Sequence, residues 1–145
     1  MLEFLPKWVF VGLVAGAVAL PKFSTAPKSA PDTGDAALLH DAATACHGTF
    51  DRFVVQADFS APGYDVHYVG ARRIRVTFSL AGGHDSRGTN LLVGTLIPRC
   101  PNLLQVTKTG DSAGIVSFGL SLRKRTGFRV FRLQHPTRVV IDVAH

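Results

Sequence analysis

The sequence predicts an all-β domain, a single β-sandwich or partly closed barrel of about eight short antiparallel strands. Three observations carry that expectation. Glu3 is the only Glu in the chain, Met1 the only Met, and 14 Gly accompany many Val and Thr, a composition that favours strands over helices. From Phe50 onward apolar residues recur with period two, the mark of half-buried strands. The apolar segments are short and lie close together, with Gly, Pro, Asn or Asp between them, so there is no room for the long crossovers that parallel βαβ units need.

The strands follow in order. Phe53, Val55, Ala57 and Phe59 alternate with Val54, Gln56 and Asp58. After a turn at Ala61-Pro62-Gly63 come Tyr64, Val66 and Tyr68. Ile74, Val76, Phe78 and Leu80 alternate with Arg73, Arg75, Thr77 and Ser79 in the cleanest half-buried strand of the chain. A polar loop over 81–88 leads to an apolar stretch, Leu91 to Ile97, that reads as another strand. Leu103–Thr109, Ile115–Leu122, Phe128–Leu133 and Thr137–Val143 complete the set, with breakers at 110–114, Thr126-Gly127 and His135-Pro136.

Two segments precede this region. Residues 1–20 hold a weakly basic start and a run of 13 apolar residues from Trp8 to Leu20. That run is shorter than the ~20 residues a membrane span requires, and it matches the core of a secretory signal, with Ala17-Val18-Ala19 as a cleavage site. The alternatives are an uncleaved N-terminal anchor and a buried helix. Membrane contact is expected only through this segment. Residues 21–45 have linker composition, with Pro21, Pro27 and Pro31, and the Ala-rich stretch Asp35–Ala45 is compatible with a short helix capped by Asp35. The β domain is then residues 46–145.

The chemistry motifs are weak. Gly110-Asp111-Ser112-Ala113-Gly114 matches the G-x-S-x-G nucleophile elbow, which requires a strand turning into a helix. The residues after it alternate like a strand, so Ser112 is expected in a strand-to-strand turn, and a triad would have to recruit Asp142 with His135 or His145. A small secreted hydrolase acting through Ser112 is the alternative to a non-enzymatic protein, and no catalytic residue is assigned. The six His show no metal-ligand spacing, and adjacent pairs such as Cys46-His47 and His84-Asp85 point to opposite faces of a strand. No metal site or cofactor is expected. Cys46 and Cys100 are the only cysteines. In an oxidising compartment they form a disulfide with Cα atoms within about 7 Å; the alternative is two buried free thiols.

Formal net charge is +6, from 16 Lys+Arg against 10 Asp+Glu. Arg123, Lys124, Arg125, Arg129 and Arg132 cluster near the C-terminus, followed by Arg138. Such a cluster serves as a surface for anionic envelope polymers, as a nucleic-acid surface, or as a solvated edge that resists aggregation. An exported chain does not ordinarily meet nucleic acid, which is not expected as a partner. Arg123, Lys124, Arg125, Arg129 and Arg132 are the candidate binding residues.

Several segments carry a family resemblance. They are Cys46-His47-Gly48-Thr49-Phe50-Asp51-Arg52-Phe53, Pro62-Gly63-Tyr64-Asp65-Val66-His67-Tyr68-Val69, Ser117-Phe118-Gly119-Leu120, and the closing run Gly127-Phe128-Arg129-Val130-Phe131-Arg132-Leu133-Gln134-His135-Pro136-Thr137-Arg138-Val139-Val140-Ile141-Asp142-Val143. In order and spacing, residues 46–145 resemble the AMIN-like domain of exported bacterial envelope proteins, related to the AMIN domain of cell-wall amidases and secretin components. The resemblance implies an exported, cell-envelope or secreted module that binds a cell-wall polymer such as peptidoglycan, or an envelope protein partner. A structural or interaction protein without a glycan ligand is the other reading. Relatives carry an Asp-Gly-Ser-Gly-rich hairpin after the strand ending near Val69; here Gly70-Ala71 leads straight into Arg72.

Overall fold

A computed structural model describes residues 19–145. Most of the expected leader, residues 1–18, lies outside the described residues. Among the described residues, eleven strands form two sheets packed face to face: β1 (Lys28–Ala30), β2 (Ala37–Cys46), β3 (Phe50–Asp58), β4 (Gly63–Tyr68), β5 (Arg73–Ser79), β6 (Ala81–Gly82), β7 (Thr95–Leu96), β8 (Leu103–Ser112), β9 (Ile115–Leu122), β10 (Phe128–Leu133) and β11 (Thr137–Ala144). The six-stranded sheet has the order β1-β4-β5-β9-β8-β7, and the five-stranded sheet β10-β11-β3-β2-β6. No helix occurs among the described residues. The sheets do not close into a barrel, so of the two expected architectures the fold is the sandwich. Pairing is antiparallel except between β2 and the two-residue β6.

The period-two pattern becomes the core. Phe53 and Val55 of β3 face Ile74, Val76 and Phe78 of β5 and Phe118 and Leu120 of β9, all at most 1% exposed. Phe118 makes edge contacts with Phe53 at 5.1 Å and with Phe78 at 6.1 Å between centroids. Each such ring contributes about 1.5–3 kcal/mol through burial.

Three expectations need correction. Asp35–Ala45 forms no helix, because β2 occupies it. Ala37 and Leu39 point into the core while Leu38 and His40 point out, and a bulge between His40 and Ala43 then breaks the alternation, with Asp41 at φ +53°. The bulge hides a strand that the unbroken edge of β3 requires as a partner. Leu91–Ile97 is mostly irregular. Only Thr95–Leu96 pairs, and Val93 and Ile97 stay exposed. The strand count exceeds about eight because β1, β6 and β7 are pieces of two or three residues.

The expected linker is also part of the fold. Ser24 exchanges backbone hydrogen bonds with Phe128 at the edge of β10, at 3.1 and 2.8 Å. Gly127 permits this approach, since a Cβ there would lie 3.0–3.1 Å from Ser24 N and Phe23. Four residues on, β1 joins the other sheet against β4. Lys28 sits 3.6 Å above the Phe128 ring and donates to the Ser24 carbonyl at 2.6 Å. Residues 24–30 therefore strap the two sheets together across one side of the sandwich.

Two bulky residues at the end of the sandwich away from the disulfide adopt left-handed backbone, Phe59 at φ +76° and Leu80 at φ +52°. Phe59 is also 82% exposed. Left-handed backbone costs an L-residue roughly 1–2 kcal/mol, and glycine avoids that cost. Phe59→Gly should therefore stabilise the domain by about 1 kcal/mol in urea denaturation, a rare gain from deleting a phenyl ring. A loss of more than about 1 kcal/mol would mean that the ring packs in solution.

Candidate anion-binding cleft

The bonds of one buried carboxylate and one buried amide build the disulfide end of the sandwich. Asp51, fully buried on β3, accepts from the backbone N–H groups of Asn102 and Leu103 at 2.8 and 2.9 Å, and its other oxygen lies 2.7 Å from His145 Nε2. Beside it the Cys46–Cys100 disulfide spans Cα atoms 5.4 Å apart, as the sequence led us to expect. The grouping of Cys46, Asp51 and Cys100 would otherwise suggest a metal site, but the bridged sulfurs offer no thiolate. Asn102, also fully buried, donates to Thr126 Oγ1 and to the Ala144 carbonyl, each at 2.9 Å. It accepts from the Lys124 N–H at its side chain and from the Arg123 N–H at its carbonyl. The Tyr68 hydroxyl donates to the Thr126 carbonyl at 2.6 Å and accepts from the Thr126 N–H at 3.0 Å. The turn Arg123-Lys124-Arg125 thus hangs from buried polar groups, and its three side chains are exposed.

Arg123 meets Arg72 and Arg73 around an open cleft of about 520 Å³, completed by Ala71, Leu104, Ser121 and Leu122. Only the short turn 69–72 separates β4 from β5 here. Past Arg73 a smaller trough of about 340 Å³ continues over the outer face of the six-stranded sheet, walled by Arg73, Arg75, Thr77 and Thr109 and floored by Ser117 and Gly119. Gly119 pairs with Arg75 and Ser121 with Arg73, so small residues on β9 lie beside long cationic ones on β5. Arg72, Arg73, Arg75, Arg123, Lys124 and Arg125 form no salt bridge among the described residues. Arg125 stacks 4.0 Å from the Tyr68 ring, and Arg123 Nε donates to the Pro101 carbonyl at 3.1 Å. Guanidinium groups without carboxylate partners around a concave surface suit bidentate binding of phosphate or carboxylate.

The five basic residues singled out from sequence divide. Arg123 lines this cleft, and Lys124 and Arg125 follow it in the same exposed turn without lining it. Arg129 and Arg132 are engaged within the fold. Arg129 donates to Asp142 at 2.9 Å and covers the Phe23 ring at 4.3 Å. Arg132 donates to the carbonyls of Pro31 and Pro62 at 2.6 and 2.8 Å. Arg72, Arg73 and Arg75 were missed as site residues. Their signal was a basic triplet at the start of the cleanest strand, where polar alternation disguised it as an ordinary solvent face.

Ser112 ends β8 before a turn at Ala113-Gly114 that leads into β9, a strand-to-strand setting. Asp142 is held by Arg52 and Arg129, and His145 by Asp51, both at the opposite end of the sandwich from that turn.

The AMIN-like domain family matches residues 70–145, just over half of the chain. The chain belongs to the AMIN-like domain family. No curated protein and no solved structure is similar enough to match. AMIN-like domains are non-catalytic modules, and membership suggests an association with the cell envelope. The matched AMIN-like segment runs from the turn before β5 to the C-terminus and contains every cleft arginine. It begins later than the resemblance from Cys46, and because β3 lies at the centre of the five-stranded sheet, the folding unit that contains the matched segment extends well before Gly70.

The closing AMIN-like motif has a structural role. Arg129 of β10 and Asp142 of β11 are direct cross-strand partners. Arg52, on the other side of β11, adds two hydrogen bonds to the same carboxylate at 2.8 and 3.0 Å. Those bonds hold Arg52 protonated even more firmly than an ordinary guanidinium.

Proposed function

We propose that the protein is a non-enzymatic, exported envelope module that holds an anionic cell-wall polymer such as peptidoglycan in the arginine cleft. The observation that carries this reading is the convergence of Arg72, Arg73 and Arg123 on one cleft, with no carboxylate partner among the described residues. The carboxylates of peptide stems and the phosphates of wall polymers offer the planar or tetrahedral oxygens that guanidinium groups grip. Export is supported by the apolar run Trp8–Leu20, and by a disulfide of the sort that persists in oxidising compartments. The hydrolase alternative lacks support, because Asp142 and His145 are bonded at the opposite end of the sandwich and, among the described residues, His84 pairs with Asp111 rather than with the Ser112 hydroxyl.

The test is cosedimentation of the full-length chain with washed, lipid-free peptidoglycan across a salt series. Retention should fall steeply with ionic strength, because exposed charges are screened within about 8 Å at physiological salt. Replacing Arg72, Arg73 and Arg123 together by Ser should reduce retention at least about tenfold while leaving the denaturation midpoint within error, since surface substitutions away from packed features usually cost under about 0.5 kcal/mol. Retention indifferent to both salt and the triple substitution sinks the reading.

A further inference from the structure

The opposite end of the sandwich carries a second concave surface of different chemistry. An open cleft of about 590 Å³ is lined mainly by apolar groups, with Phe59, Leu38, Leu80 and Ala37 as its walls. Both large walls stand on left-handed backbone. Phe59 is held outward by its neighbours. Asp58 lies 3.1 Å from His40 Nε2, the Ser60 hydroxyl 2.6 Å from that of Thr33, and the Ala61 N–H donates to Thr33 Oγ1 at 3.0 Å. The ring cannot turn into the core without breaking these bonds. A fold that keeps a bulky ring in water on unfavourable backbone has a use for it, because strain of this kind concentrates at binding sites.

The charge around this cleft decides what it takes. Asp85 lines it beside His84, whose Nδ1 is bonded to Asp111; Asp58, half exposed and paired with His40, directly precedes Phe59, and Asp35 directly precedes the lining residue Ala36. A chain of net charge +6 therefore presents an acidic rim here. Two copies meeting through this face would oppose like charges, which disfavours a two-fold dimer. Among the described residues, the exposed large apolar side chains toward the basic end are Val69, just after β4, and Ile97, just after the edge strand β7; they stand on well-separated strands of the six-stranded sheet and form no single bulky knob for the cleft. We propose that this end is a docking site for a partner protein's segment that presents one bulky apolar side chain flanked by Lys or Arg. The apolar side chain fills the cleft against Phe59 and Leu80, and the cations meet Asp35, Asp58 and Asp85. The site is separate from the arginine cleft, so one module can hold a wall polymer at one end and a protein at the other.

The experiment is selection of a random heptapeptide display library on the immobilised full-length chain, followed by fluorescence anisotropy with the winning peptide. Enriched peptides should carry Leu, Phe or Met between basic residues. Binding of the winner should weaken at least tenfold in Phe59→Gly, which relieves backbone strain and so remains folded, and severalfold in Asp85→Asn. It should be unchanged in the Arg73→Ser, Arg123→Ser double variant. Absence of enrichment, winners without flanking cations, or a winner that follows Arg73 rather than Phe59 overturns the proposal. So does a concentration-dependent dimer in sedimentation that Phe59→Gly dissolves, which would make the occupant a second copy.

Discussion

Asp142→Ala should cost the domain about 3 kcal/mol, read as a shift of the urea midpoint at unchanged slope, and lower its thermal midpoint by on the order of 10 °C. Asp142 is fully buried on β11 and is flanked by two guanidinium groups, Arg52 at 2.8 Å and Arg129 at 2.9 Å. Removing the carboxylate leaves both cations facing each other across one strand, in a place built to exclude water. Breaking a buried pair costs about 3–5 kcal/mol because the surviving charge is stranded. The lower end applies because Arg52 keeps 26% of its side chain exposed and Arg129 keeps 11%, so solvent relieves part of the penalty. The aromatic surroundings soften it further. Arg129 lies 4.3 Å from the Phe23 ring and 4.9 Å from Phe50, and Arg52 lies 5.3 Å from Phe50. Asp142→Asn, which keeps an acceptor, should lose less than Asp142→Ala. A loss below about 1 kcal/mol for Asp142→Ala would show that the two arginines find other partners.

The same triad explains what a reading of the sequence could and could not reach. β5 and β9 were legible because each keeps strict alternation with one face on the core, and β10 and β11 because they are short apolar-rich runs separated by His135-Pro136, β11 being buried on both faces. β2 was not, because the bulge at Asp41 shifts the phase halfway along it and its Ala content imitates a helix. The disulfide was legible because only two cysteines exist. The division of the basic cluster was not. Arg129 looks as available as Arg123 in sequence, and only the pairing of β10 with β11 shows that Asp142 neutralises it. Arg72 and Arg73 lie 50 residues before Arg123, and the cleft they share exists only once β5 and β9 pair. The acidic rim around Phe59 is likewise assembled from three separate segments, two loops and the end of β3, so neither charge pattern shows as a run along the chain.

Removing the disulfide should have the largest effect of any single covalent change. The Cys46→Ser, Cys100→Ser double variant should be destabilised by about 4 kcal/mol, from the chain-entropy cost of releasing a closed loop of 54 residues. The consequence should be local as well as global. The bridge lies next to Asp51 and anchors the segment from which Asn102 reaches Thr126, Ala144, Arg123 and Lys124. Loosening that segment detaches the basic turn from its support before the sheets separate, since it is held by polar contacts rather than by the core. Hydrogen exchange of the Arg123 and Lys124 amides, bonded to Asn102 at 2.8 and 2.9 Å, should therefore accelerate more than that of Val76 or Phe118 amides on the central strands. Retention on peptidoglycan should fall under conditions where the double variant is still folded. Equal acceleration at the turn and in the central strands would mean that the domain opens as a unit, and a stability loss under about 1 kcal/mol would mean that the contacts of Asp51 and Asn102 hold this end without the bridge.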